Sequence, residues 1–180
     1  MNSLGELKLI PAVDHRELLA ETVHTAISSL SNASGFSVAE IDPQYSDTAA
    51  FCEYYKIAPN QTVNCVVVKA SRADKNWYAA CMILATTKAD VNGLVRRHLG
   101  ARKVSFAPMD EAVALTKMDY GGITGIGLPN DWPVLIDKAV VDTDIVVLGS
   151  GIRKSKIVTR GESLKGLANA VVLEGLGHLR

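Results

Sequence analysis

The sequence lacks an excess of charge of either sign: its 180 residues carry 19 Lys plus Arg against 19 Asp plus Glu. A protein that grips a long run of nucleic-acid phosphate usually shows a basic surplus. DNA is therefore not an expected partner, and any RNA contact should be short and local. Cysteine is scarce too. Cys52, Cys65 and Cys81 form no C-x-x-C pair, and such a scattered, odd set argues for reduced thiols and a cytoplasmic protein. His15, His24, His98 and His178 show no H-x-x-x-H spacing and no neighbouring Cys, so no metal and no cofactor are expected. No apolar stretch approaches the ~20 residues of a membrane helix, so no membrane partner is expected. The start, MNSLGELKLIPAVDHRE, has no basic head followed by an apolar run, and no signal peptide is read there. Low-complexity linkers and internal repeats are also missing, which predicts one domain over 1–180.

What is present is an ordinary globular balance, 48% hydrophobic and 21% charged, enough for a packed core. Leu18, Leu19, Val23, Ile27 and Leu30 recur at helical spacing, with Asp14 and Glu17 as a capping-box start and Gly35 as a stop. Residues 36–41 alternate like a short strand. Asp47 can cap a helix through about Lys56. Residues 62–70 (TVNCVVVKA) and 77–87 (WYAACMILATT) predict an antiparallel hairpin around a polar turn at 71–76. Their unbroken apolar runs mark central strands. Asp90 caps a helix over 91–99 that Gly100 ends. A short strand at 103–107 precedes Pro108, read as the first residue of a helix to about Leu115. Strands follow at 134–136, 145–148 and 157–159, then a helix at 162–169 and a strand at 170–173. Helices and hairpins alternate irregularly, so an α/β chain with a mixed sheet or partial barrel fits better than a doubly wound parallel sheet.

Four glycines, Gly121, Gly122, Gly125 and Gly127, fall within YGGITGIGLPNDWP. Glycines let backbone N–H groups converge on an oxygen, which makes residues 121–127 either a ligand loop or a pliable surface loop. No Gly-Lys-Ser/Thr follows, so it is not a P-loop. Gly149-Ser150-Gly151 closes the strand 145–148 and is either a ligand-approach point or a tight turn. It forms no G-x-S-x-G elbow, so Ser150 is not read as a nucleophile. Asn64 is a polar residue at the start of an apolar strand. Lys69 lies five residues on, on the opposite face of a regular strand, and reads as solvated. Asp110 and Glu111 read as first-turn helix charges, Asp137 as a cap or a cleft carboxylate. Arg96, Arg97, Arg102 and Lys103 form a basic cluster that is either a solvated face or a contact for an acceptor stem.

In order and spacing these pieces resemble the YbaK-type family, which is related to the editing domain inserted in many bacterial prolyl-tRNA synthetases. The resemblance runs over about 47–173, with 1–46 an N-terminal helix and strand belonging to the same domain. It rests on Thr48-Ala49-Ala50, the segment 59–68, the D-x-x-x-L of Asp90 to Leu94, Leu99-Gly100, MDEAVALT at 109–116, Gly121-Gly122 with Gly127, Asp137 and Gly149-Ser150-Gly151. In fold it implies a mixed six- to seven-stranded barrel-like sheet flanked by helices. The implied activity is that of a free-standing aminoacyl-tRNA deacylase, an ester hydrolase acting on the tRNA 3′ end carrying a wrong amino acid, with an aminoacyl-tRNA synthetase as a further partner and no cofactor. Asn64, Gly121, Gly122, Gly125, Gly127 and Asp137 fall at the family's working positions, and Thr48, Ile123, Thr124, Gly149, Ser150 and Gly151 at substrate-binding ones. Two departures stand out: Asn64 replaces the family's usual lysine, and Gly125 its loop proline. An amide supplies no full charge, so the resemblance implies weakened hydrolysis, or a non-catalytic module that holds an amino acid or aminoacyl end in the same pocket.

Overall fold

A computed structural model describes residues 2–179. Along the chain come β1 (Ser3–Leu4), β2 (Leu7–Lys8), β3 (Ile10–Pro11), α1 (Glu21–Ser28), β4 (Ser37–Glu40), α2 (Thr48–Tyr55), β5 (Val63–Arg72), β6 (Lys75–Leu84) and β7 (Thr87–Ala89). They are followed by α3 (Arg96–His98), β8 (Lys103–Phe106), α4 (Met109–Thr116), β9 (Val134–Asp137), α5 (Lys138–Val141), β10 (Val146–Gly149), β11 (Ser155–Thr159), β12 (Ala170–Leu173) and β13 (Gly177–Leu179).

The hairpin β5–β6 is the spine. Its register runs unbroken from Val63 opposite Leu84 to Arg72 opposite Lys75. The turn is therefore only Ala73-Asp74, tighter than the six residues expected, with Ala73 in the left-handed region at φ 51°. Both faces of the hairpin are covered, as its apolar runs require. Val63, Met82 and Leu84 enter the larger core with α1, while Val68, Ala70, Cys81 and Ile83 enter a second core under Val91 and Val95. The second strand stops at Leu84, where the Thr87 hydroxyl donates to the Leu84 carbonyl at 2.8 Å. The residues beyond leave to pair with β13.

The strands do not close into a barrel. They form a five-stranded mixed sheet, β12-β9-β6-β5-β8, and a four-stranded antiparallel sheet, β10-β11-β4-β3, with two small two-stranded pairs. The reason lies on one edge of β5. That edge pairs with β8 only over Val68 to Ser71, and the link to β10 is a bridge from Thr62, just ahead of β5, to Val147. Between those points the two sheets diverge and a cleft opens.

Other elements also depart from expectation. α1 begins at Glu21 rather than near Asp14, because Ala12–Asp14 and Arg16–Leu18 are separate single turns and His15 between them is not helical (φ −125°, ψ 63°). Leu18 and Leu19 are buried by those turns. Pro108 lies just outside α4 as its cap rather than inside it, and the last expected helix is a tight turn, Gly161–Gly166. Asp47 caps α2 as read, accepting from the Ala49 N–H at 3.1 Å. No helix of the described residues is long and apolar enough to cross a membrane.

Candidate active site

The cleft between β5 and β10 has a volume of about 340 Å³, and its walls include Thr48, Asn64, Gly121, Ile123, Gly149 and Lys156. Asn64 and the first half of the glycine loop thus face one hollow. The Asn64 side chain is oriented by α2: the Thr48 hydroxyl donates to Asn64 Oδ1 at 2.9 Å. Thr48 is the first residue of that helix, held by the Asp47 cap. Fixing one end of the amide leaves its remaining hydrogen-bonding capacity for a ligand.

The two glycine clusters interlock. The Gly151 N–H donates to the Gly122 carbonyl at 2.8 Å, and the Asp119 N–H to the Gly151 carbonyl at 2.8 Å. A Cβ on Gly149 would stand 2.5 Å from the Gly122 oxygen and 2.9 Å from that of Ile123, so only glycine allows this approach. The Gly122 N–H is already used by the Asp119 carbonyl at 2.9 Å. Gly125 and Gly127 turn away from the cleft and line a separate hollow of about 630 Å³ beside α1. A Cβ there would meet Met82 Sδ and the Thr22 carbonyl, each at 2.4 Å.

Thr124 is fully buried, and its Oγ1 finds no partner among the described residues. Ser150 is also buried, with its hydroxyl donating to the Ser155 carbonyl at 3.0 Å. Both serve the loop's packing. The Asp137 carboxylate, 3% exposed, accepts from the Gly177 N–H at 2.9 Å and caps α5 through Ala139. It lies outside the cleft's lining.

Lys156 was not singled out from the sequence. The strand expected at 157–159 begins earlier, at Ser155, and pairs Lys156 with Gly149 and Ala39. Its position flush against a β-branched run was the available signal. The side chain is 8% exposed. Its ammonium donates to the Ser46 carbonyl at 3.1 Å and lies 5.3 Å from the centroid of the Phe51 ring. Among the described residues no carboxylate comes within ion-pair distance of it. Burial, reinforced by Arg153 and opposed by Asp47, pushes its pKa down to about 8. Tyr120, 61% exposed, stands at the rim. Cys65 also lines the cleft, but burial and then Cys81 raise its pKa, so it stays protonated near neutrality and is a poor nucleophile.

The comparison with known families places the chain. The family model for the aminoacyl-tRNA editing domain matches residues 42–167, well over half of the chain. This chain belongs to that family. No curated protein matches it. Among solved structures, the editing domain is similar to a candidate trans-editing enzyme for prolyl tRNA synthetase, with a TM-score of 0.73 and 18% identity over 86% of this chain and 94% of the other. It is also similar to the hypothetical protein APE2540, with a TM-score of 0.76 and 18% identity over 88% of this chain and all of the other. At such identity these likenesses show the fold.

Elsewhere in the editing domain, Lys69 is not a solvated residue. Its ammonium donates to both oxygens of Glu111, at 3.0 and 2.8 Å, and the Tyr78 hydroxyl donates to the same carboxylate at 2.5 Å. Lys69, then Tyr78, hold the Glu111 carboxyl below its usual pKa. Tyr78 in turn stacks on Trp132 at 5.0 Å. This cluster fastens α4 to the hairpin, so Glu111 does more than complement a helix end. Arg96, Arg97 and Arg102 gather with Arg72 around a hollow at the far end of β5. Arg72 lies eight residue steps along the strand from Asn64, roughly 27 Å.

Proposed function

We propose that the cleft hydrolyses the ester joining a wrong amino acid to the 3′ end of a tRNA, in trans and in the cytoplasm. The observation that carries this reading is the sharing of one hollow by Asn64, Gly121 and Ile123, in a chain of the editing family. The acylated ribose enters beside Tyr120, whose exposed ring offers a stacking face for the terminal base. Asn64, steadied by Thr48, hydrogen-bonds the ester. Loop N–H groups at Gly121 and Ile123 face the carbonyl and stabilise the oxyanion that forms. Water adds to the carbonyl carbon, the bond to the ribose oxygen breaks, and a proton passes to that oxygen, releasing the amino acid and an uncharged tRNA. Gly125 and Gly127 shape the loop from behind, and Asp137 holds the adjacent strand and helix. With no surplus of positive charge, the tRNA is best delivered by a partner such as an aminoacyl-tRNA synthetase.

One observation favours a second reading, a non-catalytic module that holds an aminoacyl end. No carboxylate or imidazole lines the cleft among the described residues, so no side chain there is an obvious general base. A panel of mischarged tRNAs separates the two. The purified protein should deacylate at least one member, and Asn64→Ala should slow that reaction by about two- to tenfold, the effect of one neutral hydrogen bond. If the wild type hydrolyses none while Asn64→Lys gains hydrolysis, the module reading is correct.

A further inference from the structure

Lys156 is the only charged side chain among the described residues lining the cleft. A buried ammonium is costly unless paired, yet this one has a single hydrogen bond, to a neutral carbonyl, and an aromatic ring beside it. An ammonium has three donors. Two are therefore without a protein acceptor among the described residues, and the side chain lines a hollow open to solvent. Arg153 does not compete for the same ligand position, because its guanidinium is tied to the Tyr120 and Pro43 carbonyls, each at 3.2 Å. Asn64, on the opposite strand edge, is neutral. Among the described residues the cleft is thus lined by one positive charge, with no carboxylate in its lining or within ion-pair distance of that charge.

We propose that Lys156 is a substrate-binding residue that takes a phosphate oxygen of the tRNA's terminal nucleotide, so that the ester is placed between Asn64 and the glycine loop. The identity of the phosphate rests on the deacylase reading; the anion site does not. Lys156 holds the nucleotide, and Asn64 and the loop handle the ester. The groups that face the ammonium are Asp47 and Cys52 from the α2 segment and Arg153 from the turn before β11. With a pKa of about 8, the charge is present at neutrality and disappears at moderately alkaline pH.

The test is calorimetric titration of the full chain with adenosine 5′-monophosphate, adenosine and L-alanine, using wild type, Lys156→Met and Lys156→Gln. The glutamine variant retains a donor for the Ser46 carbonyl and so separates loss of charge from loss of that bond. Adenosine 5′-monophosphate should bind the wild type at pH 7 and bind both variants about ten- to a hundredfold more weakly. Adenosine should bind all three alike. Wild-type affinity for the monophosphate should fall by about tenfold per pH unit above 8, the slope for loss of one proton. The assignment is overturned by equal monophosphate affinity in wild type and variants, by no monophosphate binding to the wild type, or by a Lys156-dependent affinity for L-alanine instead. Deacylation assays on the same samples keep the two claims apart. Lys156-dependent monophosphate binding without any hydrolysis sinks the ester reading alone. Undiminished hydrolysis and unchanged monophosphate affinity in both variants sinks the Lys156 assignment alone.

Discussion

Gly127→Ala is expected to lower folding stability by about 3 kcal/mol. Gly127 has φ +75°, and an added methyl would stand 2.4 Å from the Thr22 carbonyl oxygen and 2.8 Å from the Val23 nitrogen. The left-handed backbone costs a Cβ about 1–2 kcal/mol, and overpacking against unyielding backbone adds about 1–3 kcal/mol. In a domain of this size that corresponds to a melting temperature lower by about 6–12 °C. Gly175→Ala is the internal control, because Gly175 has nearly the same φ, +73°, with nothing within 4 Å of the added carbon. It should show the conformational part alone, about 1–2 kcal/mol. The difference between the two melts measures how firmly the glycine loop seats on α1, which lies ahead of the family-matched segment 42–167. Equal losses in the two variants would mean that α1 is not a fixed wall of the fold.

Lys156→Met is expected to make the protein more stable at pH 7 while weakening ligand binding. The lysine titrates near 8 in the folded chain against 10.5 unperturbed, a gap worth about 3 kcal/mol of destabilisation when the group is charged. Methionine removes that charge and fits the space beside Phe51. It also leaves the Ser46 carbonyl without its donor, an offset of about 1 kcal/mol. The net gain of about 1–2 kcal/mol should raise the melting temperature by about 2–8 °C. The pH dependence follows from the depressed pKa. Between pH 8 and 10.5 the unfolded chain still holds the lysine proton and the folded chain has lost it, so wild-type stability rises with pH there. The advantage of Lys156→Met should therefore be largest below pH 8 and vanish towards pH 10.5 in urea melts. A constant difference at all pH values would show that the ammonium is not strained by burial. A residue that lowers stability yet lines a cleft is what a functional charge looks like.

The hairpin, the α2 cap and the short strand β4 were legible because they depend on local chemistry: β-branched runs, an aspartate before a helix, alternation over four residues. The pairing of the two glycine clusters was not. Gly122 and Gly149 meet only because β10 ends where the loop passes, a contact between residues far apart in the chain. The same limit hid Glu111, whose partners Lys69 and Tyr78 lie on the hairpin, and Lys156, whose basic neighbours Arg153 and Lys154 look like a solvated turn. The mixed, helix-flanked sheet is as expected, and it stays open rather than closing for a comparable reason. The main strands of the two larger sheets were readable as segments, but not the short strands β1, β2, β3, β7 and β13, nor the point at which β5 parts from β10. That divergence makes the cleft. Of the residues expected at a site, the fold gathers Thr48, Asn64, Gly121, Ile123 and Gly149 around it. It sends Gly125 and Gly127 to the α1 side and gives Asp137 a capping role.

The most direct measurement is a heteronuclear NMR titration with a non-hydrolysable 3′-aminoacylamino adenosine analogue, followed at the amides of the two hollows. Binding in the cleft predicts shifts concentrated at Asn64, Gly121, Ile123 and Lys156, with Gly127, Thr25 and Leu167 unmoved. Shifts confined to the hollow beside α1, or none at saturating analogue, would contradict it.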